Sequence, residues 1–417
     1  MQSSKRTGAI QIKRAFYTIS ALYTLSASII WGVNTLFLLG AGLNIQEVFI
    51  ANAFFALGSA VFEIPTGVFA DTRGRRFSFL MSVFVLALAT LGYVIVSLLG
   101  GRVFWFSLSS IFLGLGFTFY TGAVEAWVVD ELKVTGSTED LDPVFAKGAA
   151  ISGIAMFAGT IGGGFLGTVD LVYPYFVRSG LLVALFFYGL FFMHERGFDA
   201  TKVVSSGYFN AIRVVTKDSI QFGWKNRVVR LMIIATVIQS VFMMWGFYGW
   251  QPYLLDMLGR REAAWISGFI AAAVAFATVI GNMCLPLIRR FVRRRSIILL
   301  GGVLAMAAGS IAMGVTNSFP LALGALIVMM IAMGASMPVK QAYLHQKTPS
   351  EKRATVISFD ALLGSGGGFV GQTGLGWVAR RFGLSTGYII GGLILALVAP
   401  VYGALHRRRD EDDFIDS

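Results

Sequence analysis

The chain repeats one pattern from end to end: an apolar run of about twenty residues, then a short charged or glycine-containing break. At a helical rise of about 1.5 Å per residue, such a run crosses a hydrocarbon core about 30 Å thick. We read twelve spans, at about 16–40, 47–69, 77–99, 103–129, 145–169, 173–193, 231–253, 263–287, 296–316, 320–343, 354–378 and 386–405. Charged residues are only 13% of the 417, about half of what an ordinary soluble domain carries. The short alternating segments of a membrane β-barrel are absent from the sequence. The expected fold is therefore an all-α membrane protein with twelve transmembrane helices.

The net charge of +12 raises the question of nucleic acid, and the placement of the charge answers it. Of the 34 Lys and Arg, 27 fall at the two termini and in the loops after spans 2, 4, 6, 8 and 10. The opposite loops and their flanks hold Arg102, Arg178, Arg260, Arg261, Arg380 and Arg381, and Lys340 lies within a span. That asymmetry follows the positive-inside rule, so both termini are expected in the cytoplasm and no nucleic-acid partner is expected. The first apolar run is too long for a cleaved leader and lacks an Ala-x-Ala site. One cysteine, Cys284, leaves no intramolecular disulfide and no Cys-x-x-Cys redox or metal motif. No cofactor or metal is expected, and with no nucleophile–base constellation in view, no enzymatic activity.

The spans repeat in order, six apart. "EAWVVD" (Glu125–Asp130) in span 4 matches "QAYLHQ" (Gln341–Gln346) in span 10. "GGGFLG" (Gly162–Gly167) in span 5 matches "GGGFVG" (Gly366–Gly371) in span 11, and "EIPTGVFADTRGRRFS" after span 2 matches "CLPLIRRFVRRRS" after span 8. The expected organisation is an N-terminal six-helix half (1–194), a cytoplasmic linker (195–230) and a C-terminal six-helix half (231–417) in the same orientation.

"GVFADTRGRR", between spans 2 and 3, supplies Gly67, Asp71, Gly74, Arg75 and Arg76 in the order G-x-x-x-D-x-x-G-R-R. With twelve spans and duplicated halves, the chain resembles the major facilitator superfamily along nearly its whole length. Chemically, Gly74 permits a tight turn, Gly67 permits close approach of another helix, and Asp71 suits a neighbouring helix N-terminus. The resemblance implies that Asp71 meets span 11, that Arg75 meets Asp130 at the end of span 4, and that these contacts latch one side of the transporter.

Ionisable groups inside the spans are the remaining candidates, because charge in a membrane is costly and usually functional. Glu63 lies about 12 Å deeper than Asp71 on the same i, i+4, i+8 face, expected to point toward protein, as a proton carrier or a static partner of Lys340. Glu125 is about 140° around the helix from Asp130 and is expected to face a cavity. Lys340 either snorkels or joins the cavity. Asp360 is read as a partner of Arg353 or as a coupling acid. Arg178 is expected to snorkel or to pair with Asp170.

In proton antiporters of the superfamily, an Arg in span 4 and a G-P-x-x-G-G in span 5 are common. Here Ser110 replaces the former, and Gly159-Thr160-Ile161-Gly162-Gly163-Gly164 carries Thr in place of Pro. The resemblance also implies a central cavity lined by spans 1, 4, 7 and 10. They offer Trp31, Asn34 and Tyr120, then Gln239, Trp245, Tyr248, Trp250 and Gln251, then Met337, Gln341 and Tyr343. Trp250 and Tyr253 read equally well as interfacial anchors. Aromatic faces and carboxylates favour an amphipathic organic cation.

The function expected is proton-coupled efflux of a drug-like or metabolite solute by a monomer in a bacterial plasma membrane. Nutrient uptake by symport or uniport is the alternative, and a transporter-like sensor or lipid flippase is the alternative of another class.

Overall fold

The computed structural model describes residues 2–135, 140–197, 224–260, 263–348, 353–408 and 413–414. Among them the chain is helical, with one isolated bridge between Arg294 and Phe414. The first eight helices are α1 (Gln2–Trp31), α2 (Asn34–Gly40), α3 (Ile45–Arg73), α4 (Arg75–Leu98), α5 (Val103–Tyr120), α6 (Ala123–Val134), α7 (Asp142–Val169) and α8 (Tyr173–Phe192). The rest are α9 (Arg227–Met257), α10 (Ala264–Phe291), α11 (Arg295–Val315), α12 (Phe319–Gln346), α13 (Arg353–Phe382), α14 (Leu384–Ala396) and α15 (Ala399–Arg407).

Among the described residues, ten helical segments are long and apolar enough to cross a membrane, or eleven when α1 and α2, bent by 47°, count as one span. The remaining expected span, α13, has the length of a span at 30 residues, but glycines and polar residues dilute its hydropathy. Span 4 is broken, which its apolar pattern had not predicted. Thr121 and Gly122 separate α5 from α6, and Gly122 takes φ +73, a conformation that favours glycine. Most of the expected linker, residues 198–223, lies outside the described residues.

The chain forms two compact units. The first comprises Met1–Gly42, Leu57–Ile212 and Ala264–Phe269; the second comprises Leu43–Ala56, Arg213–Ala263 and Ile270–Ser417. Their internal pairings repeat. In the first unit α1 packs on α7, α4 on α5, and α4 on α8; in the second α9 packs on α13, α11 on α12, and α11 on α14. Glycines allow the closest of these contacts. A methyl added at Gly163 of α7 would collide with the Ile29 carbonyl of α1, and one at Gly367 of α13 would come within 2.5 Å of the Val237 carbonyl of α9. Outward positions such as Ile154, Phe157 and Phe165 of α7 are exposed, as lipid-facing side chains are.

The third span of each repeat is capped by an acid that follows the sixth. Glu195 accepts from the Arg75 and Arg76 amides at 2.5 and 3.3 Å, at the start of α4. Asp413, fully buried, accepts from the Ser296 amide and hydroxyl, both at 2.7 Å, at the start of α11. Both satisfy orphan donors at a helix N-terminus, where the dipole favours an anion. Losing such a cap costs about 0.5–2 kcal/mol. Glu195→Ala is therefore expected to lower the melting temperature of the purified protein by several degrees, while Glu195→Gln retains part of it. Equal losses in the two variants would contradict a capping role.

Candidate functional site

In the first unit, the motif residues converge at the junction of α3 and α4. Gly74 takes φ +101 and turns the chain, as the sequence predicts. Arg75 Nε stands 3.1 Å from Asp130 Oδ2 on α6, and a terminal nitrogen of Arg75 stands 3.6 Å from Asp71. Arg76 donates to the Leu190 carbonyl at 2.7 Å. Buried Glu131, which the sequence reading passed over, accepts from the Arg196 and Gly197 amides at 2.5 and 3.0 Å. One expectation changes here. Gly67 is no contact point, since a methyl there would meet nothing within 4 Å; Gly58 makes the close approach instead, to the Ile111 backbone. The N-terminus of α4 is capped by Glu195, whereas the described partner of Asp71 is Arg75.

The Arg75–Asp130 pair is partly exposed, so its contribution to stability is small, about 0–1 kcal/mol. Arg75→Ala and Asp130→Ala are each expected to slow transport, and the double variant to be no slower than the worse single one. Independent, multiplying losses would show that the two are not functional partners.

Glu63, Gly67 and Asp71 share one face of α3, and each is exposed. The described hydrogen-bond partner of Glu63 is the Thr121 side chain, at the break in span 4. Glu125 is exposed in the first turn of α6, where the helix dipole favours an acid. Tyr120 stacks on Tyr23 with ring centroids 3.4 Å apart. Asn34 is buried and accepts from the Tyr175 hydroxyl at 2.9 Å, so it belongs to the core rather than to a cavity wall. Trp31 is half-buried on the same span. Arg178 does not snorkel; it is buried, with its charge near Tyr23 and Tyr93. Ser110, in the place of the antiporter arginine, shares a 2.5 Å hydrogen bond with Tyr93.

In the second unit, α9, α11, α12, α13 and α15 line an open-sided cavity of about 480 Å³. That volume is within the usual range for small-molecule sites. Of the expected candidates, Gln239, Met337, Lys340, Gln341 and Asp360 line it. Others do not. Trp245, Trp250, Gln251 and Tyr343 are fully buried in the packing, Trp245 against Phe49, Phe242 and Tyr388. Tyr253 is buried too, its hydroxyl donating to the Met313 carbonyl, so neither it nor Trp250 is an interfacial anchor. Tyr248 is half-buried, edge-on to Phe247.

The charged centre of this cavity is a three-membered cluster. Lys340 Nζ lies 2.5 Å from Thr236 Oγ1 and 3.4 Å from Asp360 Oδ2. Thr236 Oγ1 lies 2.5 Å from Asp360 Oδ1. The Lys340 and Asp360 side chains are only 20% and 15% exposed, so Lys340 is held inward rather than snorkelling, and its described ionic partner is Asp360, not Glu63. The Arg353 side chain, expected to face Asp360, lies outside the described residues. Thr236 had no signal in sequence beyond its place on span 7, and the same holds for Tyr402, whose hydroxyl reaches Gln239 at 3.5 Å. In a Cys284→Ser background, single cysteines at Gln239 and Gln341 are expected to react with a polar thiol reagent. A cysteine at Asn34 should not; its rapid labelling would contradict the core assignment.

The model of the Major Facilitator Superfamily matches residues 16–372 and 266–413. The chain is 22% identical over 404 residues to the uncharacterized MFS-type transporter YxaM of Bacillus subtilis (strain 168), covering 95% of this chain and 96% of that one. It is 25% identical over 310 residues to the class C tetracycline resistance protein of Escherichia coli, covering 72% and 71%. Among solved structures, the nucleoside transporter NupG aligns with a TM-score of 0.78 at 11% identity, covering 95% of this chain and 99% of that one. The D-xylose-proton symporter aligns at 0.71 and 14% identity, covering 95% and 97%.

Proposed function

Because the chain belongs to the major facilitator superfamily, we propose that it is a secondary transporter that exports a small organic solute in exchange for protons. The observation that carries this reading is the Lys340–Asp360 pair, two ionisable side chains held on membrane-spanning helices and facing a cavity of small-molecule size. Such groups are expensive in a membrane and mark solute or ion pathways. The likeness to a tetracycline resistance protein supports export of an organic compound. Charge placement supports a plasma membrane with both termini in the cytoplasm.

In mechanism, the two six-helix halves (1–194 and 231–417) would rock about a site that opens alternately to each side. The cluster of Asp71, Arg75 and Asp130 would latch one of the two states. Glu63, on α3 with the Thr121 hydroxyl at the break in span 4 as its partner, is a second proton-carrying candidate; Glu125, exposed at the head of α6, is a third.

The test is counterflow in proteoliposomes. Vesicles loaded with an unlabelled solute are expected to accumulate the labelled form transiently. A panel of flat aromatic cations, ethidium first, is the starting set. Absence of counterflow across that panel, together with protein-dependent translocation of labelled phospholipid, would replace the transporter reading with a flippase.

A further inference from the structure

We propose that the cavity of the second unit binds an organic monocation in direct exchange for the Lys340 proton, with Asp360 as the shared anionic partner. The proposal rests on the export reading above and names its substrate class and its exchange step.

The geometry of the three-membered cluster carries the argument. Thr236 has one hydroxyl hydrogen and two acceptors near it, Asp360 Oδ1 at 2.5 Å and the Met232 carbonyl at 3.0 Å. The shorter contact takes it, so Asp360 is held by Thr236 independently of Lys340. Lys340, in turn, has its short bond to Thr236 and only a 3.4 Å contact to the carboxylate. The ammonium is therefore the replaceable member. When it gives up its proton to water it becomes a neutral amine that still donates to Thr236, and Asp360 keeps its position and its charge. A half-buried carboxylate left without a cation is disfavoured, so a second cation is favoured in the place of the first. One proton leaves, one monovalent cation enters, and the charge of the cavity is unchanged.

The rest of the wall fits a cation with an apolar body. Met243, Met333 and Met337 present polarizable thioethers to the cavity. Besides the pair, the titratable groups that line the cavity among the described residues are His345 on α12 and Tyr402 on α15. α9 adds Thr236, Gln239, Ser240 and Met243, and α11 adds Leu299 and Met306, none of them charged. An anionic solute would find one strong cation there, already committed to Asp360.

The test is calorimetric titration of purified protein in lipid nanodiscs with ethidium, a flat aromatic monocation. Buffers of different ionisation enthalpy read the protons released. Between about pH 7.5 and 9, about one proton should leave per ethidium bound. The affinity should then rise about tenfold per pH unit while Lys340 is charged. Lys340→Met should still bind ethidium but release no lysine proton, so its affinity should lose the tenfold rise per pH unit across this window. Asp360→Asn should lose at least about tenfold in affinity. The charge-reversed probe 1-anilinonaphthalene-8-sulfonate should show no specific site.

Ethidium bound without proton release, or the sulfonate bound with proton uptake while ethidium is not, would overturn the exchange. So would the absence of a specific ethidium site. Counterflow reads the transporter reading separately. A protein that shows counterflow but fails this titration loses the exchange and keeps the transport.

Discussion

Asp360→Asn is expected to reduce pH-driven ethidium transport to the level of empty liposomes while leaving a protein that inserts in the membrane. Removing one partner of a buried ion pair costs about 3–5 kcal/mol, because the other charge is left uncompensated. The 20% exposure of Lys340 places this case toward the lower end. A loss of that size threatens folding as well as transport, so the single variant cannot separate the two effects. The double variant Asp360→Asn/Lys340→Met can. With both charges gone and the cavity left apolar, thermal stability should return to near wild type, whereas pH-driven transport should stay absent. If transport returns with stability, the pair is structural and the coupling role passes to Glu63. Glu63→Gln then becomes the decisive variant: it should abolish net pH-driven transport and spare counterflow, because exchange of labelled for unlabelled solute requires no net proton movement.

The second large effect is expected at the helix contacts that repeat in the two units. Gly163→Ala and Gly367→Ala each place a methyl against a backbone carbonyl, of Ile29 and Val237 respectively. A backbone cannot swing aside as a long side chain can, and overpacking typically costs about 1–3 kcal/mol. Both variants should give little folded protein by size-exclusion chromatography. The neighbouring Gly162→Ala and Gly366→Ala occupy matched repeat positions with nothing within 4 Å, and both should be tolerated. Similar yields from all four variants would show that the α1–α7 and α9–α13 contacts are looser than described.

The contrast between these neighbouring glycines shows how far the sequence could be read. Apolar run length placed the spans, because a membrane forces about twenty residues into a crossing helix whatever their identity. The aligned "GGGFLG" and "GGGFVG" revealed the duplication, but not which glycine of each group touches the neighbouring helix. That depends on the rotation of α7 and α13, which apolar residues on every face leave unmarked. The same ambiguity misplaced Trp245 and Tyr343, which lie on cavity-bearing spans but point into the packing. The motif residues fared better because charge has few places to go. Arg75 found Asp130, as the resemblance implied, while Lys340 found Asp360, a pairing across α12 and α13 that no local spacing encodes. Glu195 and Asp413 were invisible for a related reason: each caps a helix that begins more than one hundred residues earlier in the chain.

The central claim is that solute moves against protons, and an imposed pH gradient tests it most directly. Proteoliposomes loaded at acidic pH and diluted into alkaline buffer should accumulate ethidium well beyond protein-free liposomes, and an ionophore that dissipates the pH gradient should release it. Accumulation under the reversed gradient, alkaline inside and acidic outside, or no response to either gradient, would contradict proton exchange.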